Sequence, residues 1–402
     1  MGSVAGDQAT VARYGLSWVA LLGLGGWVVM HPTSACDPAS TGPVVEGTDQ
    51  LLRDVGPEVV RPALDRFEAA LSELEVAVGA WASDGDEAKA GAQAAFATAS
   101  TIWQELEVMQ VGPAASTLTG ADAGAADLRD EIYSWPTVNP CRVDQETVRE
   151  AFRDEGYHEV NLVNAYGLDA LEHLLWAGDA NACPGQVDIN SEGTWNALGP
   201  AGVAANRADF AVVLVDGLQS ATGTLADAWA PDGGDFGSQL ALAEGSPYVS
   251  EQEALNAVYD ALFYLEASTK DRKLAEPLGL RDCTVDCAEL VEGRASGLST
   301  DWIAANLRGF RALFTGGSGH GFDDLLRDAG HGDVGDRVLE HVDGAIVVAE
   351  ASSQPIDEYV VTNPRPAQDL HDAIALITDD LKGDLATILS LRLPLAAAGD
   401  ND

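Results

Sequence analysis

The sequence predicts an all-α fold because apolar side chains recur along it with the period of a helix. Steps of four and three residues alternate without a break between residues 60 and 81, which places these side chains on one helix face. This stripe consists of Val60, Leu64, Phe67, Leu71, Leu74, Val78 and Trp81. A second stripe near the C-terminus consists of Leu370, Ile374, Ile377, Leu381, Leu385 and Ile388. No run of alternating β-branched residues typical of a strand occurs in the sequence.

We expect the helices to form two helical-bundle domains, each with about four to six helices. Glycine, proline and serine are concentrated at 232–249, which is the best candidate for a linker. A helical stripe ends before it at Trp229, and the helical period resumes after it at Leu255. The predicted domains are therefore an N-terminal bundle at 48–231 and a C-terminal bundle at 250–398. Their similar size and helix count suggest a pseudo-symmetric arrangement that arose by duplication.

The chain is strongly acidic, with a net charge of −42 over 402 residues and only 4 lysines among its 22 basic residues. Such a surface repels nucleic acid and anionic membranes, so we expect no nucleic-acid partner. It suits a cationic ligand, or a protein that stays soluble in high salt. We favour the second interpretation, because a salt-exposed setting explains the excess of aspartate without any specific ligand.

Residues 1–35 have the features of a signal peptide. Arg13 precedes an apolar run at 16–30, which has the length of a signal-peptide core and is too short for a secure membrane span. Small residues then lead to Cys36, as in the lipobox of bacterial lipoproteins, in which the cysteine carries the lipid. Thr33 stands where that motif usually has leucine, so plain secretion with cleavage near Ala35 is the alternative.

The segment 36–47 is rich in proline, glycine, threonine and serine, and we expect it to be a flexible tether. A lipid on Cys36 would make the membrane a partner of this protein through an N-terminal anchor. These features predict an exported lipoprotein, located in the periplasm or at the outer-membrane or cell surface of a bacterium.

The four remaining cysteines predict two disulfide bonds, since an even number in an exported chain is typical of an oxidising compartment. Four cysteines allow three connectivities. We favour Cys141–Cys183 and Cys283–Cys287, which are nearest in sequence. The closely spaced second pair is also compatible with metal binding, but no other cluster with ligand spacing accompanies it.

The densest group of candidate ligands lies at 164–178, on a predicted short helix. Asp169, Glu172 and His173 lie three and four residues apart there, and we expect them to share one helix face. Two acids and an imidazole suit a metal ion or a cationic ligand. The competing interpretation is an ordinary solvated helix face.

The first proposed disulfide constrains this region. Bridged Cα atoms lie within about 7 Å of each other, whereas one continuous helix over residues 144–178 would be about 50 Å long. We therefore expect the chain to turn back between Gly156 and Gly167, after a helix that begins with Asp144 as its N-cap.

Two other polar groups stand out. Trp103 and Glu107 lie four residues apart beside an apolar stripe. The segment 268–273 contains three of the few basic residues, among them Arg272. These bases either neutralise carboxylates from the other half of the chain or compensate a helix C-terminus. Lys382 in the last helix is expected to have the same structural role.

The segment Gly167-Leu168-Asp169-Ala170-Leu171-Glu172 resembles the signature of the imelysin family of bacterial exported proteins, which has the form Gly-x-His-x-x-Glu. Looser matches are Trp103 with Glu107, Trp135-Pro136, Arg272-Lys273-Leu274 with Pro277-Leu278-Gly279, and Leu381-Lys382. The resemblance implies an all-helical fold of two bundle-like domains, with the motif near their interface. It also implies a periplasmic or surface location and an association with iron-regulated uptake. Some family members are classed as metallopeptidases.

One residue of the motif is exchanged in this chain. Asp169 stands where the motif has histidine, so the metallopeptidase pair is not reproduced and we assign no catalytic residue. Glu172 is the motif ligand that is retained, and His173 lies outside the motif as a substitute ligand. A pair of carboxylates favours hard cations, including ferric iron, over zinc.

Three functions are compatible with these residues. The first is an exported binding protein that holds iron, another cation or a small cationic ligand between its halves. Its ligand-binding residues would be Trp103, Glu107, Asp169, Glu172 and Arg272, with Asp169, Glu172 and His173 as metal ligands. The second is a metal-dependent peptidase, which needs an open metal position, a bound water and a general base. The third is a structural or interaction lipoprotein without metal, in which these polar residues form a buried network between the domains.

Overall fold

The long apolar stripe that begins at Val60 is buried along its whole length. Each of its seven side chains is at most 3% exposed. Most of them lie on one helix, Arg61–Asp84, which packs against the next helix, Asp86–Leu106. Gly85, with a φ of 77°, forms the turn between the two, a backbone conformation that favours glycine.

The computed structural model describes residues 45–117, 124–245 and 247–394. The predicted signal peptide at 1–35, Cys36 and most of the predicted tether at 36–47 lie outside these ranges, as does the end of the predicted C-terminal bundle. Helices are formed throughout the described ranges and no strand occurs in them, so the all-α prediction is confirmed.

The α-helices are α1 Thr48–Asp54, α2 Arg61–Asp84, α3 Asp86–Leu106, α4 Leu128–Ile132, α5 Pro140–Arg149, α6 Tyr157–Val160, α7 Leu168–Trp176, α8 Asp188–Ser191, α9 Thr194–Trp229, α10 Phe236–Leu242, α11 Glu251–Leu262, α12 Ser299–Thr315, α13 Phe322–Asp328, α14 Gly332–Glu350, α15 Ile356–Thr362, α16 Arg365–Asp380 and α17 Ala386–Ile388. The described residues also form π-helical segments at Val55–Val60, Leu265–Ala275 and Leu381–Leu385. Short 3₁₀ turns occur at Gly112–Ala114, Ala151–Arg153, Val163–Ala165 and Cys287–Leu290.

One large hydrophobic core runs through the helices on both sides of the predicted linker. Helix α2 packs against α3 and α9, α3 also packs against α12, and α12, α13 and α16 pack against α14. Among the described helices, α9 alone is long and apolar enough to cross a membrane, but it packs as a core helix against α2, α5 and α7. Within the segment 232–249, α10 buries Phe236 and Leu240. The division into two domains stays a prediction.

Both predicted disulfide bonds are confirmed. Cys141 and Cys183 are joined with their Cα atoms 4.5 Å apart, and Cys283 is joined to Cys287. The predicted reversal of the chain is also present, since only the four-residue helix α6 and short turns separate α5 from α7. Helices α5 and α7 pack against each other, and the disulfide ties the start of α5 to the segment after α7.

The predicted N-cap at Asp144 is wrong. Helix α5 begins at Pro140, and the side chain of Asn139 caps it by accepting a hydrogen bond from the Arg142 backbone N–H at 3.1 Å. Proline is well suited to the first helical position, where its missing N–H is not needed. Asp144 lies one turn further on and is fully buried.

Asp144 instead binds the chain segments around α5 together. It accepts hydrogen bonds from the Ala182 backbone N–H at 2.7 Å and from Arg207 at 3.2 Å, and it lies 3.0 Å from His173 Nε2. Burial raises the pKa of Asp144, but the hydrogen bonds from His173 and Ala182 and the charge of Arg207 outweigh it, so the net pKa is lowered. Asp144 is therefore an ionised, fully paired core carboxylate.

We predict that Asp144→Ala lowers the free energy of unfolding by about 3–5 kcal/mol, because Arg207 would keep a buried charge without its partner. The matched control is Asp188→Ala, which removes the exposed partner of Arg149 at 2.5 Å in the same region. We expect that control to leave stability almost unchanged, since exposed ion pairs contribute little. Urea denaturation of the two variants checks this, and equal losses would contradict it.

Candidate functional site

The motif helix α7 is a core element and not a solvated surface helix. Asp169 and Glu172 are buried together with most of its apolar side chains, so the interpretation as an ordinary solvated face is wrong. Gly167 precedes the helix with a φ of 95°. A Cβ atom at this position would lie 3.0 Å from the Ile132 carbonyl oxygen, so only glycine permits this close approach.

The two motif carboxylates have different surroundings. Glu172 Oε1 accepts a hydrogen bond from the Ser296 backbone N–H at 2.8 Å. Neither oxygen of Asp169 forms a hydrogen bond of ordinary geometry with the residues that the structure describes. Burial raises the pKa of Asp169 well above its usual value, and nearby backbone N–H groups and Arg129 oppose this only in part. Burial also raises the pKa of Glu172, against the hydrogen bond from Ser296.

His173 does not lie with these two carboxylates. Its ring faces Asp144, with Nε2 of the ring 3.0 Å from Oδ1 of the carboxylate. Consecutive residues on a helix point in different directions, so Glu172 and His173 cannot both face one ligand without a change in the helix. The shared face expected from the sequence spacing therefore holds Asp169 and Glu172 only.

Glu107 joins the site from the end of α3. Its side chain is fully buried, and Oε1 accepts hydrogen bonds from both Nε of Arg129, at 2.7 Å, and Nη2 of Arg129. The other oxygen, Oε2, makes no hydrogen bond within the described ranges. Burial raises the pKa of Glu107, although Arg129 opposes the shift. Burial lowers the pKa of Arg129, but the charges of Glu107 and Tyr264 and the hydrogen bonds to Asp130 and Glu107 together outweigh this effect and raise the pKa.

Trp103 is part of the hydrophobic core one turn before Glu107. Its ring lies 5.2 Å from that of Phe67, and with Arg129 it lines a small internal cavity between α2, α3 and α9. The indole N–H is buried and donates no hydrogen bond to a described residue. Trp103 is therefore a core residue beside Arg129, and its membership of a common site with the motif helix stays a prediction.

Lys273, which the sequence does not single out as a site residue, lies at the centre of the site. Lys273 Nζ donates hydrogen bonds to Gln104 Oε1 at 2.7 Å and to Asn306 Oδ1 at 2.8 Å, and it forms an ion pair with Glu292 at 2.8 Å. Glu292 also accepts a hydrogen bond from the Tyr133 hydroxyl at 2.7 Å. These contacts join segments before and after the predicted linker.

We refer to these side chains together as the buried polar cluster, which consists of Gln104, Glu107, Arg129, Tyr133, Asp169, Glu172, Lys273, Glu292 and Asn306. It contains four carboxyl groups but only two bases, Arg129 and Lys273. Buried charges are costly unless they are paired. The two surplus carboxyl groups must therefore carry protons or be balanced by a cation.

Arg272 is not part of this cluster. It is exposed and lines a surface cleft, whereas its neighbour Lys273 points into the core. Arg129 is the guanidinium that lies beside Glu107. The other bases of the segment 268–273 do neutralise carboxylates, since Lys273 pairs with Glu292 and Lys270 donates to Glu266 Oε1 at 2.9 Å. Lys382, near the C-terminus, donates to the same oxygen of Glu266 at 2.7 Å.

The donor chemistry of the cluster suits a hard cation, since oxygens of Asp169 and Glu107 are buried without hydrogen bonds. In the part of the chain that the structure describes, however, no three His, Cys, Asp or Glu side chains surround one point. The carboxyl groups would have to move together before they could hold a metal ion.

The family model described as Imelysin matches residues 60–386, which include the whole buried polar cluster. The chain belongs to the imelysin family. Two solved structures show that the fold is shared with imelysin-like proteins. One is described as a putative iron-regulated protein A precursor from Parabacteroides distasonis, with 15% identity and a TM-score of 0.66 over 87% of this chain and 97% of that one.

The second is an imelysin-like protein from Psychrobacter arcticum, with 14% identity and a TM-score of 0.63 over 86% of this chain and 96% of that chain. Comparison with curated proteins gave no match. At these identities the likeness shows the fold, and the family assignment confirms the resemblance inferred from the Gly167–Glu172 segment.

We predict that Asp169→Asn makes stability less dependent on pH. The pKa of Asp169 is raised well above 3.8 in the folded protein, whereas that of an unfolded aspartate is about 3.9. Between these pKa values the folded protein holds a proton that the unfolded chain releases, so the wild-type free energy of unfolding falls as pH rises through that range. Asparagine removes this loss, and the variant should be a few degrees more stable than wild type at pH 8.

Thermal denaturation of metal-stripped protein between pH 4 and pH 8 measures this effect, because a bound cation would stabilise wild type separately. The control is Asp232→Asn, which changes an exposed carboxylate in the turn after α9. Its melting temperature should change with pH as that of wild type does. Parallel curves for Asp169→Asn and wild type would show that Asp169 is ionised in the folded protein, contrary to our prediction.

Proposed function

We propose that this imelysin-family protein is an exported binding protein that takes up a cation, with iron as the expected one, at the buried polar cluster. The observation that supports this most is the surplus of two carboxyl groups over bases, with both oxygens of Asp169 and one of Glu107 lacking hydrogen bonds. The similar structure described as an iron-regulated protein A precursor supports iron as the cation to test first.

Asp169, Glu172 and Glu107 would hold the cation, because the other carboxylate of the cluster is already used. Glu292 is paired with Lys273 and accepts from Tyr133. Glu107 is bound by Arg129 through one oxygen and has the other to offer. A bound cation would supply the positive charge that the surplus carboxyl groups require.

Export is the second part of the proposal. Two disulfide bonds are formed, which supports an oxidising compartment such as the periplasm or the cell surface. The N-terminal features at 1–47 support a signal peptide followed by a lipid-anchored Cys36 and a tether. The membrane would then be a partner through the lipid alone.

Two other functions are alternatives to cation binding. A peptidase of the imelysin class would need an open metal position with water and a base, but Asp169 stands in place of the motif histidine. A structural module without metal is favoured by the hydrogen bonds that join Gln104, Lys273 and Asn306 across the chain. In that function Glu172→Gln would lower the melting temperature and alter no ligand affinity.

We predict that protein purified without chelator contains iron, and that metal-stripped protein rebinds Fe³⁺ supplied as its citrate complex. Asp169→Asn and Glu172→Gln should each weaken binding by more than the roughly 10–100-fold that an outer-shell change produces. Metal analysis and equilibrium dialysis measure this, with Asp232→Asn as the control. A metal-free wild type without affinity for iron, or unchanged affinity in Glu172→Gln, would overturn the proposal in favour of the structural module.

The anchor gives a separate prediction. Cys36→Ala in the full chain should move the protein from the membrane fraction to the soluble fraction of cells, because the cysteine thiol is the acceptor of the lipid. Wild type and Cys287→Ala, which keeps Cys36 and breaks a disulfide, should stay with membranes. Fractionation and immunoblotting measure this, and a wild type found only in the soluble fraction would support plain secretion with cleavage near Ala35.

A further inference from the structure

A surface cleft of about 240 Å³ lies beside the π-helical segment Leu265–Ala275. Phe263 contributes an apolar part of its wall. The charged side chains that line it are Glu266, Asp271, Arg272, Glu276, Arg281 and Asp282. None of these residues belongs to the buried polar cluster, so the cleft is a separate feature that the proposed function leaves unexplained.

Most of the charges in the cleft are already paired with each other. Arg281 forms ion pairs with Asp271 and Asp282. Glu266, at the buried end, accepts hydrogen bonds from Lys270 and Lys382 through one oxygen. These pairs fix the walls and leave few groups for a ligand.

Arg272 is the base lining the cleft that forms no ion pair with a described residue. Every other arginine that the structure describes, apart from Arg392, forms an ion pair. In a chain with a net charge of −42, an arginine without a carboxylate partner is unexpected. Arg272 is exposed at the cleft, so its guanidinium is accessible to an anion.

Among the acids that line the cleft, Glu276 is the one that forms no ion pair with a described residue. It lies four residues after Arg272, a spacing that makes neighbours in an α-helix. The two side chains nevertheless form no ion pair in the described structure, and Arg272 acts on Glu276 only through a longer-range charge interaction. The chain between them is π-helical up to Ala275, and π-helical turns occur frequently at functional sites.

Glu266, at the closed end of the cleft, has no oxygen to offer a ligand. Its Oε1 atom accepts hydrogen bonds from Lys270 and Lys382, and its Oε2 atom is enclosed in the protein, where Thr378 also acts on the carboxylate. The cleft thus presents one guanidinium and one carboxylate that form no ion pair. The carboxylates of the cleft would repel a simple anion, and Arg272 would repel a simple cation.

We propose that this cleft binds a small zwitterion of the α-amino-acid class. The ligand carboxylate would pair with Arg272, whose planar guanidinium can donate two parallel hydrogen bonds. The ligand ammonium would pair with Glu276. The volume is below the roughly 300 Å³ at which pockets for drug-sized ligands begin, which favours a single amino acid over a peptide.

Binding is tested with the full-length mature protein and the twenty standard amino acids as probes, first by thermal shift and then by titration calorimetry with the strongest. At least one amino acid should raise the melting temperature and bind as a single site. Its analogues without the carboxylate and without the amino group should each bind at least about tenfold more weakly, because each loses one charge-assisted hydrogen bond.

Substitutions locate the site. Arg272→Gln and Glu276→Gln should each weaken binding by about tenfold or more. Arg392→Gln changes the other exposed arginine without an ion pair, and Glu192→Gln changes an exposed glutamate elsewhere, so both controls should bind as wild type does. Melting curves without ligand show whether each variant is folded.

Three results would overturn the inference. The first is no binding of any amino acid at millimolar concentration, and the second is unchanged affinity in folded Arg272→Gln. The third is equal binding of the amine or carboxylate analogue, which would indicate a simple cation or anion site. None of these results depends on iron, so failure here and failure of the cation proposal are distinguishable.

Discussion

The burial of Lys273 is the constraint on which the rest of the site depends. An ammonium group in the core is tolerated only when it is fully paired, and Lys273 meets this with acceptors from three separate segments. Gln104 lies on α3, Asn306 on α12 and Glu292 in the irregular segment between, at 2.7–2.8 Å. The position of this one atom therefore fixes early helices of the chain against late ones, and it holds α12 against α3, which also packs on the motif helix.

That arrangement determines which carboxyl groups of the cluster have a basic partner and which have none. Glu292 is used by Lys273 and Tyr133, and Glu107 shares one oxygen with both donors of Arg129. Asp169 and Glu172 are buried beside them without a base of their own. Four carboxyl groups beside two bases leave the cluster with a surplus of negative charge, which is the basis of the proposal that it takes up a cation. The same core that holds the helices together thus creates the chemistry of the site.

The features predictable from the sequence are those that depend on neighbours along the chain. The stripe from Val60 to Trp81 predicts α2, because a helical period is local, and the cysteine spacing with the length limit of a disulfide predicts the reversal before α7. The partners of the site were not predictable in this way. Arg129 and Glu292 come from irregular segments without a period, and only the packed fold brings them to α7 and Lys273.

The direction in which a side chain leaves its helix explains why His173 and Arg272 do not lie in the predicted site. Spacing suggested that His173 joins Asp169 and Glu172, and that Arg272 faces the same ligand. In both places a sequence neighbour of the expected residue points into the core instead. Successive side chains on a helix point about a quarter of a turn or more apart, so the two neighbours cannot both point inward. Glu172 and Lys273 are inside, whereas His173 faces Asp144 and Arg272 faces solvent.

The exchange of histidine for Asp169 also changes the charge of the cluster and not only the identity of one ligand. A neutral imidazole at this position would leave three carboxyl groups against two bases, a surplus of one. With Asp169 the surplus is two, in a buried site where each unpaired charge is costly. Under the cation-binding proposal, a cation that balances this site must carry more charge, or leave more protons on the carboxyl groups, than one that balances a histidine-containing site. The exchange of an imidazole nitrogen for carboxylate oxygens would then favour hard ions over zinc, because oxygen ligands suit hard ions.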